Sequence, residues 1–257
     1  MTVVRLLSIA GSDSGGGAGI QADLKAFAAL GAHGMTAVTA LTAQNTAGVD
    51  QIHVVPADFV RAQIRAVADD IGVDAAKTGM LATEEVIEAV ADELAALACP
   101  LVVDPVMVAT SGARLLEPEA ERALALRLLP LAAIATPNVQ EARMLACDAV
   151  LEGADLARAV LALGPAAVVV TGGDTDGVDW YADADRVEAI RGRRFAEAAN
   201  HGSGCTHSAA LATYLARGLE PYAAAARARF FAGEAVRRGL VEIGAGTGPV
   251  DAVGIRR

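Results

Sequence analysis

The chain alternates short apolar segments, rich in β-branched residues, with longer segments rich in Ala, Leu and Glu. The short segments carry almost no polar positions, which is typical of strands buried on both faces of a parallel sheet. The longer segments place apolar residues at helical spacing, as in Thr83–Ala98, whose first turn is acidic. The pattern predicts strands at Val3–Ala10, Met35–Leu41, Val73–Lys77, Leu101–Asp104, Ala132–Ala135 and Ala167–Thr171.

The same pattern predicts helices between and after these strands, at Ile20–Leu30, Phe59–Ile71, Thr83–Ala98, Pro118–Leu129, Val139–Ala146, Leu156–Leu163, Cys205–Arg217 and Pro221–Gly239. Two further strands, Val178–Ala182 and Arg186–Ile190, are joined by a short polar turn and favour an antiparallel hairpin at a sheet edge. The alternation indicates an α/β fold with a mostly parallel central sheet and helices on both faces. Without repeats or a linker, we expect one domain over residues 1–257.

Composition narrows the classes of function. Hydrophobic residues make up 54% of the chain, enough for a sizeable core. The formal net charge is −10 and no run of Lys or Arg stands out, which argues against nucleic-acid and anionic-membrane partners. The three cysteines show neither disulfide nor zinc spacing. The N-terminal layout is not that of a signal peptide, and no apolar run approaches membrane-spanning length, so we expect a cytoplasmic protein.

Polar and small residues follow nearly every predicted parallel strand. Ligands of such sheets bind beyond the carboxyl ends of the strands, so these positions are the informative ones. They are the loop Gly11–Gly19, then Thr42, Gln44 and Asn45, then Thr78, Gly79 and Met80, then Asp104, then Thr136 to Asn138 with Glu141, and then Thr171 and Gly172. A single cleft along this edge of the sheet explains them together.

The first glycine-rich loop admits more than one interpretation. Its Gly17-x-Gly19-x-x-Ala22 spacing matches a dinucleotide fingerprint, but Gln44 stands where the ribose-binding acid is expected. No Gly-Lys-Ser/Thr follows, which excludes a P-loop. A plain turn between strand and helix explains the glycines equally well. Asp13 and Asp23 nevertheless suit hydrogen bonding to a small polar ligand.

Asp104 and the Asn138-x-x-Glu141 pair predict a cation and phosphate region. Mg²⁺ prefers a few carboxylates, waters and the phosphates of a bound nucleotide. An Asn at a helix start with a Glu three positions later also makes a capping box, and Asp104 before a proline also fits a turn.

The segment from Asn200 to Ala210 surrounds one cysteine with glycines and hydroxyl residues at the start of a predicted helix. Unobstructed N–H groups and the helix dipole favour an anion at Gly202, Ser203 and Gly204. The same end of the helix should lower the pKa of Cys205 and make it reactive. An ordinary glycine turn with a buried thiol is the alternative. His201 and His207 lack metal-site spacing, so we expect no zinc site.

Several segments, in order, resemble the hydroxymethylpyrimidine and phosphomethylpyrimidine kinases of thiamine biosynthesis. The resemblance runs from about residue 6 to residue 215. It is carried by segments 10–25, 39–46, 77–81, 103–107, 136–142 and 201–206, which include the run His201-Gly202-Ser203-Gly204-Cys205-Thr206. Several matching segments in the same order identify a family far more specifically than one glycine-rich loop does.

The resemblance implies a ribokinase-like three-layer sandwich, usually a homodimer, that uses ATP and Mg²⁺ to phosphorylate a small pyrimidine alcohol and then its monophosphate. Cys205 takes the place of the catalytic aspartate of related sugar kinases, beside Gly202, Ser203 and Gly204. The substrate residues implied are Gln44, which recognises the aminopyrimidine edge, with Gly11, Asp23, Met80 and Val106. The nucleotide residues implied are Asp104, Asn138, Glu141, Thr171 and Lys77, with Asp104 and Glu141 as metal ligands.

Two departures from the family pattern stand out. Many relatives carry a lysine where Thr171 stands, so the cation that contacts phosphate is either absent here or supplied from elsewhere in the chain, with Lys77 as a candidate. The ending keeps Gly246-x-Gly248-Pro249 but not the residues that usually follow, which leaves the role of the last segment open. A pyridoxal kinase or a dual-specificity kinase on the same fold is the nearest alternative, and a non-catalytic pyrimidine-binding protein is the alternative from another class. A sugar kinase is disfavoured because position 205 is not aspartate.

Overall fold

The computed structural model describes residues 2–108, 115–172, 177–193, 195 and 199–255. Its strands are β1 (Arg5–Asp13), β2 (His33–Gln44), β3 (Val49–Val54), β4 (Ala75–Thr78), β5 (Leu101–Val103), β6 (Ile134–Ala135), β7 (Ala167–Val170), β8 (Val178–Asp183) and β9 (Val187–Arg191). Its α-helices are α1 (Gly19–Ala29), α2 (Ala57–Asp70), α3 (Glu84–Ala95), α4 (Pro118–Ala123), α5 (Val139–Leu145), α6 (Gly153–Leu161), α7 (Ser203–Ala216) and α8 (Pro221–Arg237).

These strands form one sheet in the order β3-β2-β1-β4-β5-β6-β7-β8-β9. The six strands from β2 to β7 in that order pair in parallel. β3 runs antiparallel to β2 at one edge, and the β8–β9 hairpin is antiparallel at the other. The expected α/β sandwich is therefore confirmed, with antiparallel strands at both edges rather than at one.

Two apolar cores lie on opposite faces of the sheet. Side chains alternate between them, so that Leu7 and Ile9 of β1 face one core while Leu6 faces the other. The first core is covered by α2, α3, α4, α5 and α6, and the second by α1, α7 and α8. Strands buried on both faces need apolar residues at every position, which explains why their pattern was readable.

β3 was missed because its sequence carries no buried face. Its six residues, Val-Asp-Gln-Ile-His-Val, are partly or fully exposed along their whole length. Pairing with β3 also carries β2 beyond the predicted end at Leu41 to Gln44. The predicted helix Pro118–Leu129 ends as an α-helix at Ala123 and continues as a π-helical turn, Leu124–Leu128, and a short 3₁₀ turn containing Pro130.

The carboxyl ends of the parallel strands converge on the first turn of α7. β1 ends at Asp13, β2 at Gln44 and β5 one residue before Asp104. Single backbone bridges extend the contact beyond the strands, between Asn138 and Thr171 and between His201 and Pro249. None of the helices in the described ranges combines the length and apolar character needed to cross a membrane.

Candidate active site

The strand ends and the start of α7 enclose a cleft of about 260 Å³. All but one of the predicted site residues line it, namely Gly11, Gln44, Lys77, Met80, Asp104, Val106, Asn138, Glu141, Thr171, Gly202, Ser203, Gly204 and Cys205. The exception is Asp23. The expected single cleft at one sheet edge is therefore present, and both Gln44 and Cys205 line it.

One end of the cleft combines an amide with apolar walls. Gln44 ends β2, and the Thr42 hydroxyl lies 3.0 Å from its Oε1. Met80 packs with Ala40, Ala82 and the partly buried Val106 in a small separate cluster. A Cβ at Gly11 would lie only 3.1 Å from the Met80 sulfur, so a larger residue there would crowd this end of the cleft. The arrangement suits a flat, mostly apolar ring with a polar edge.

Asp23 faces the interior instead of the cleft, contrary to the expected substrate contact. Both of its carboxylate oxygens accept hydrogen bonds from Lys77 Nζ at 3.1 Å, and the Ser8 hydroxyl donates at 2.5 Å. Asp23 and Lys77 are both fully buried. The sequence could not distinguish a carboxylate that meets a ligand from one that meets a buried lysine.

Lys77 is held between two carboxylates. Its Nζ also lies 3.7 Å from Asp104 Oδ2. Burial alone would lower the pKa of Lys77, but Asp23, Cys205 and Asp104 outweigh it and raise that pKa. Lys77 is therefore not a free cation, because two carboxylates already compensate its charge, and its contact with phosphate stays a prediction. Among the described residues, the other cations on the cleft wall are Arg193 and Arg229, which the sequence reasoning missed.

Asp104 and Glu141 are two buried carboxyl groups on the cleft wall, and the charge of Asp104 acts on Glu141. Asp104 Oδ2 accepts a hydrogen bond of 2.8 Å from Ser208. Burial, followed by the charge of Asp104, raises the pKa of Glu141. Glu141 also completes a capping box with Asn138, so the capping interpretation is correct and the same side chain still reaches the cleft. No group of three or more potential metal ligands occurs in the described part of the chain.

The anion loop, which we define as residues 200–205, leads into α7. Gly202 has φ of 79°, the left-handed region that favours glycine, and caps the helix. The N–H of Ser203 already donates to Asn200 O at 3.0 Å, so it cannot hold an anion as predicted. Gly204 is exposed, and a Cβ there would meet nothing within 4 Å. Its N–H and that of Cys205 stay candidates for an incoming anion.

The Cys205 thiol is not activated in the way the sequence predicts. Although part of the residue reaches the cleft, the protein around the thiol raises its pKa to about 12. Burial is the largest cause, and Asp23 and Asp104 add to it, while Lys77 opposes it. The expected lowering by the helix terminus is therefore wrong. The sequence could not show the raised pKa of Cys205, because the charged groups that act on the thiol, Asp23, Lys77 and Asp104, come from three distant segments.

We predict that alkylation of Cys205 by iodoacetamide is slow at pH 7 and rises about tenfold per pH unit to pH 9 and beyond, because only the thiolate reacts. Mass spectrometry of the peptide that contains each cysteine measures the rates, with the exposed Cys147 as an internal reference for reagent access. A Cys205 rate that levels off below pH 8 would restore the sequence-based expectation.

Comparison with known proteins identifies the family of the chain. The family model described as phosphomethylpyrimidine kinase matches residues 13–251. A hydroxymethylpyrimidine/phosphomethylpyrimidine kinase of Synechococcus elongatus is 46% identical over 97% of this chain and 97% of its own length.

Two solved structures share the fold. A phosphomethylpyrimidine kinase from Clostridium difficile has a TM-score of 0.80 at 40% identity and covers 91% of this chain and 99% of its own. An ADP complex of Bacillus subtilis pyridoxal kinase has a TM-score of 0.90 at 37% identity and covers 99% of both chains. The resemblance drawn from the sequence is confirmed, and the chain belongs to the phosphomethylpyrimidine kinase family and is a kinase.

Proposed function

We propose that this protein uses ATP to phosphorylate 4-amino-5-hydroxymethyl-2-methylpyrimidine, and then the resulting monophosphate, to give the pyrimidine precursor of thiamine. The observation that carries the proposal is that one cleft is lined both by Gln44 and Met80 and by the anion loop with Cys205. The ADP bound by the Bacillus subtilis relative supports a nucleotide as phosphoryl donor.

Gln44 is the natural partner for the pyrimidine edge. A side-chain amide offers one donor and one acceptor, which matches the amino group and ring nitrogen of an aminopyrimidine. Met80 and Val106 would cover the apolar faces of the ring. With the ring held there, its hydroxymethyl group would extend toward the anion loop.

Catalysis in this cleft rests on positioning and charge. Phosphoryl transfer needs little covalent assistance, and N–H groups aimed at the developing charge supply much of the stabilisation. The free N–H groups at the start of α7 would contact the transferring phosphoryl group. Cys205 would accept the hydroxyl proton as its thiolate, which is a minor form near pH 7 because the surrounding protein raises the pKa of the thiol to about 12. Lys77 is the neighbour that favours that thiolate, because its charge lowers the thiol pKa against burial.

A magnesium ion fits the carboxylate oxygens of Asp104 and Glu141. Asp104 and Glu141 are buried carboxyl groups; burial and then the charge of Asp104 raise the pKa of Glu141, and a bound cation would relieve both effects. Two carboxylates completed by waters and phosphate oxygens suit the preference of Mg²⁺. The ion would neutralise charge on the nucleotide phosphates.

Pyridoxal is a second candidate substrate, favoured by the higher TM-score of the pyridoxal kinase. The identity is nonetheless greater with the pyrimidine kinase from Synechococcus elongatus, at 46% against 37%. We therefore place pyridoxal second.

A homodimer is part of the proposal. β3 is an edge strand, and Leu41 and Ile52 on β2 and β3 are exposed by 50% and 39%. An open edge with exposed apolar side chains is a common site of subunit pairing. The cytoplasmic location stays a prediction from the sequence.

We expect an ATP-consumption assay with Mg²⁺ to show turnover with the hydroxymethylpyrimidine and its monophosphate, and weaker turnover with pyridoxal at matched concentrations. Product mass distinguishes the first phosphorylation from the second. Greater activity with pyridoxal would transfer the assignment to the second candidate. A protein that binds the pyrimidine without consuming ATP with any of the three would instead be a binding protein.

We predict that Gln44→Ala and Cys205→Ala affect different kinetic constants. Gln44→Ala should raise the KM for the pyrimidine by about tenfold, as expected for lost hydrogen bonds, with kcat nearly unchanged. Cys205→Ala should lower kcat by about 100-fold to 10,000-fold, which is the usual contribution of a positioned base.

Gln51→Ala on the neighbouring strand β3 is the matched control, since Gln51 is exposed and lies outside the cleft wall. An unchanged pyrimidine KM in Gln44→Ala would remove Gln44 from substrate recognition. Near-normal turnover in Cys205→Ala would do the same for the base role.

A further inference from the structure

Asp13 and His201 join two loops that are far apart in the chain. His201 Nε2 lies 2.9 Å from Asp13 Oδ2, across a separation of 188 residues. The side chains are only 11% and 2% exposed. Burial opposes the charge of Asp13, but hydrogen bonds from His201 and from backbone N–H groups lower the pKa of its carboxyl. The carboxylate is therefore the acceptor, and the imidazole donates.

The Asp13 carboxylate also organises the glycine loop, which we define as residues 13–19. Its Oδ2 accepts from the N–H groups of Gly17 and Ala18 at 2.9 and 2.8 Å, and its Oδ1 accepts from Gly15 at 2.8 Å. These N–H groups are directed at the loop's own carboxylate, not at a ligand. The glycine loop is thus a preformed support for the ring of His201.

The two loops pack backbone against backbone. A Cβ at Gly17 would lie 2.2 Å from His201 Cδ2, and a Cβ at Gly202 would lie 1.8 Å from the carbonyl oxygen of Gly17. Neither position has room for a side chain. The anion loop is therefore located directly by the end of β1.

His201 is bound on its other side by the segment near the C-terminus. Its N–H donates to Gly248 O, and its carbonyl accepts from Val250, each at 3.1 Å. Further along, the N–H of Thr247 donates to Thr46 O at 3.1 Å, two residues beyond Gln44. Residues 246–250 thus connect the pyrimidine end of the cleft with the anion loop, a role that the sequence left open.

We propose that His201 is a positioning residue for phosphoryl transfer: held by Asp13 and residues 246–250, it fixes the anion loop and Cys205 relative to the substrate. The inference rests on the proposed function. A displacement of about 1 Å at a reacting group can cost about 100-fold in rate. Neither the His201 side chain nor the Asp13 side chain needs to touch the reacting atoms for this effect on the rate.

The test compares His201→Leu with His201→Gln in the full chain. Leu removes the donor, so kcat should fall by about 100-fold while the pyrimidine KM changes by less than about threefold. Gln can place its amide nitrogen near the position of Nε2 and should recover most of the loss. Asp13→Asn should also lower kcat, and the double variant should be no worse than His201→Leu alone, because the two residues act as a pair.

The control is Arg5→Met, which breaks the Arg5–Asp74 ion pair near the opposite end of β1. It should lower Tm without changing kcat. Normal kcat in His201→Leu would overturn the proposal. Equal loss in the Gln and Leu variants, with Tm lowered as in the control, would also overturn it. If His201→Leu does not fold, the Gln and Asp13→Asn variants decide by the same criteria. Inactive wild-type protein would count against the proposed function instead.

A separate observation concerns His207, on the cleft wall one helical turn beyond Ser203. It is 4% exposed, and neither ring nitrogen has a hydrogen-bond partner within the described ranges. Burial and the charge of Arg229 lower its pKa to about 4, so the ring is neutral near pH 7. A neutral imidazole offers one donor and one acceptor.

Unpaired polar atoms in a buried position cost stability, and an aliphatic side chain would avoid that cost. A histidine retained there on the wall of a cleft points to a ligand. Its donor and acceptor together match a hydroxyl group, which also has both. The sugar of ATP is joined to its α-phosphate, two phosphates away from the group that is transferred, and His207 lies one helical turn beyond Ser203 of the anion loop. We propose that His207 forms a hydrogen bond with a ribose hydroxyl of the phosphoryl donor, an inference that also rests on the proposed function.

The variant His207→Leu distinguishes nucleotide binding from a purely structural role, because Tm and the KM for ATP should both rise. Tm should rise by about 2–4 °C, because an unpaired polar group is removed. The KM for ATP should rise about tenfold, with the pyrimidine KM unchanged. Wild-type protein should discriminate against 2′-deoxy-ATP or 3′-deoxy-ATP, and the variant should not.

Thr213→Val on the same helix is the control, because the Thr213 hydroxyl is already paired with Ala209 O and lies outside the cleft wall. It should neither raise Tm nor change the ATP KM. A lower Tm in His207→Leu would show that the imidazole is paired in solution and overturn the proposal. An unchanged ATP KM, or equal discrimination between the nucleotides, would overturn it too. Wild-type protein that uses no nucleotide would count against the proposed function.

Discussion

The ion pair between Lys77 and Asp23 is the interaction on which the site depends. It joins β4 to α1 in the interior, and Asp104 extends it to the end of β5 and, through Ser208, to α7. Charges removed from water are tolerated only when their partners stay in place, since an unpaired buried ion costs several kcal/mol. The network therefore holds four elements of the cleft in one arrangement. It also surrounds Cys205 with charges of both signs.

The balance of those charges explains how an acidic protein can handle phosphorylated molecules. The chain carries a formal net charge of −10, and the cleft adds Asp104 and Glu141 to the already neutralised Lys77. Nothing about this surface attracts anions over a long range. Recognition has to come from local groups, namely the N–H groups at the start of α7 and Arg193 on the cleft wall, because Arg229 is already paired with Asp179.

Features that depend on local sequence were predicted correctly, and features that depend on contacts between distant parts of the chain were not. Strands buried on both faces were readable because each one carries its own apolar signal, whereas β3, half exposed, carries none. The cleft was readable because strand ends meet at one edge. The pKa of Cys205 and the burial of Asp23 were not, since both depend on Lys77, which lies far away in the chain. The Asp13–His201 pair has no local signal except an aspartate at the head of a glycine turn.

The contact between the glycine loop and the anion loop also bears on when the protein becomes competent during its synthesis. Asp13 leaves the ribosome before its partner, which is 188 residues behind. At usual rates of translation that interval is roughly 10–40 s. Residues 246–250, which hold His201 from the other side, come later still. A nascent chain can therefore build most of its parallel sheet while the chemical centre is absent, so catalysis begins only after residues 246–250 have been made.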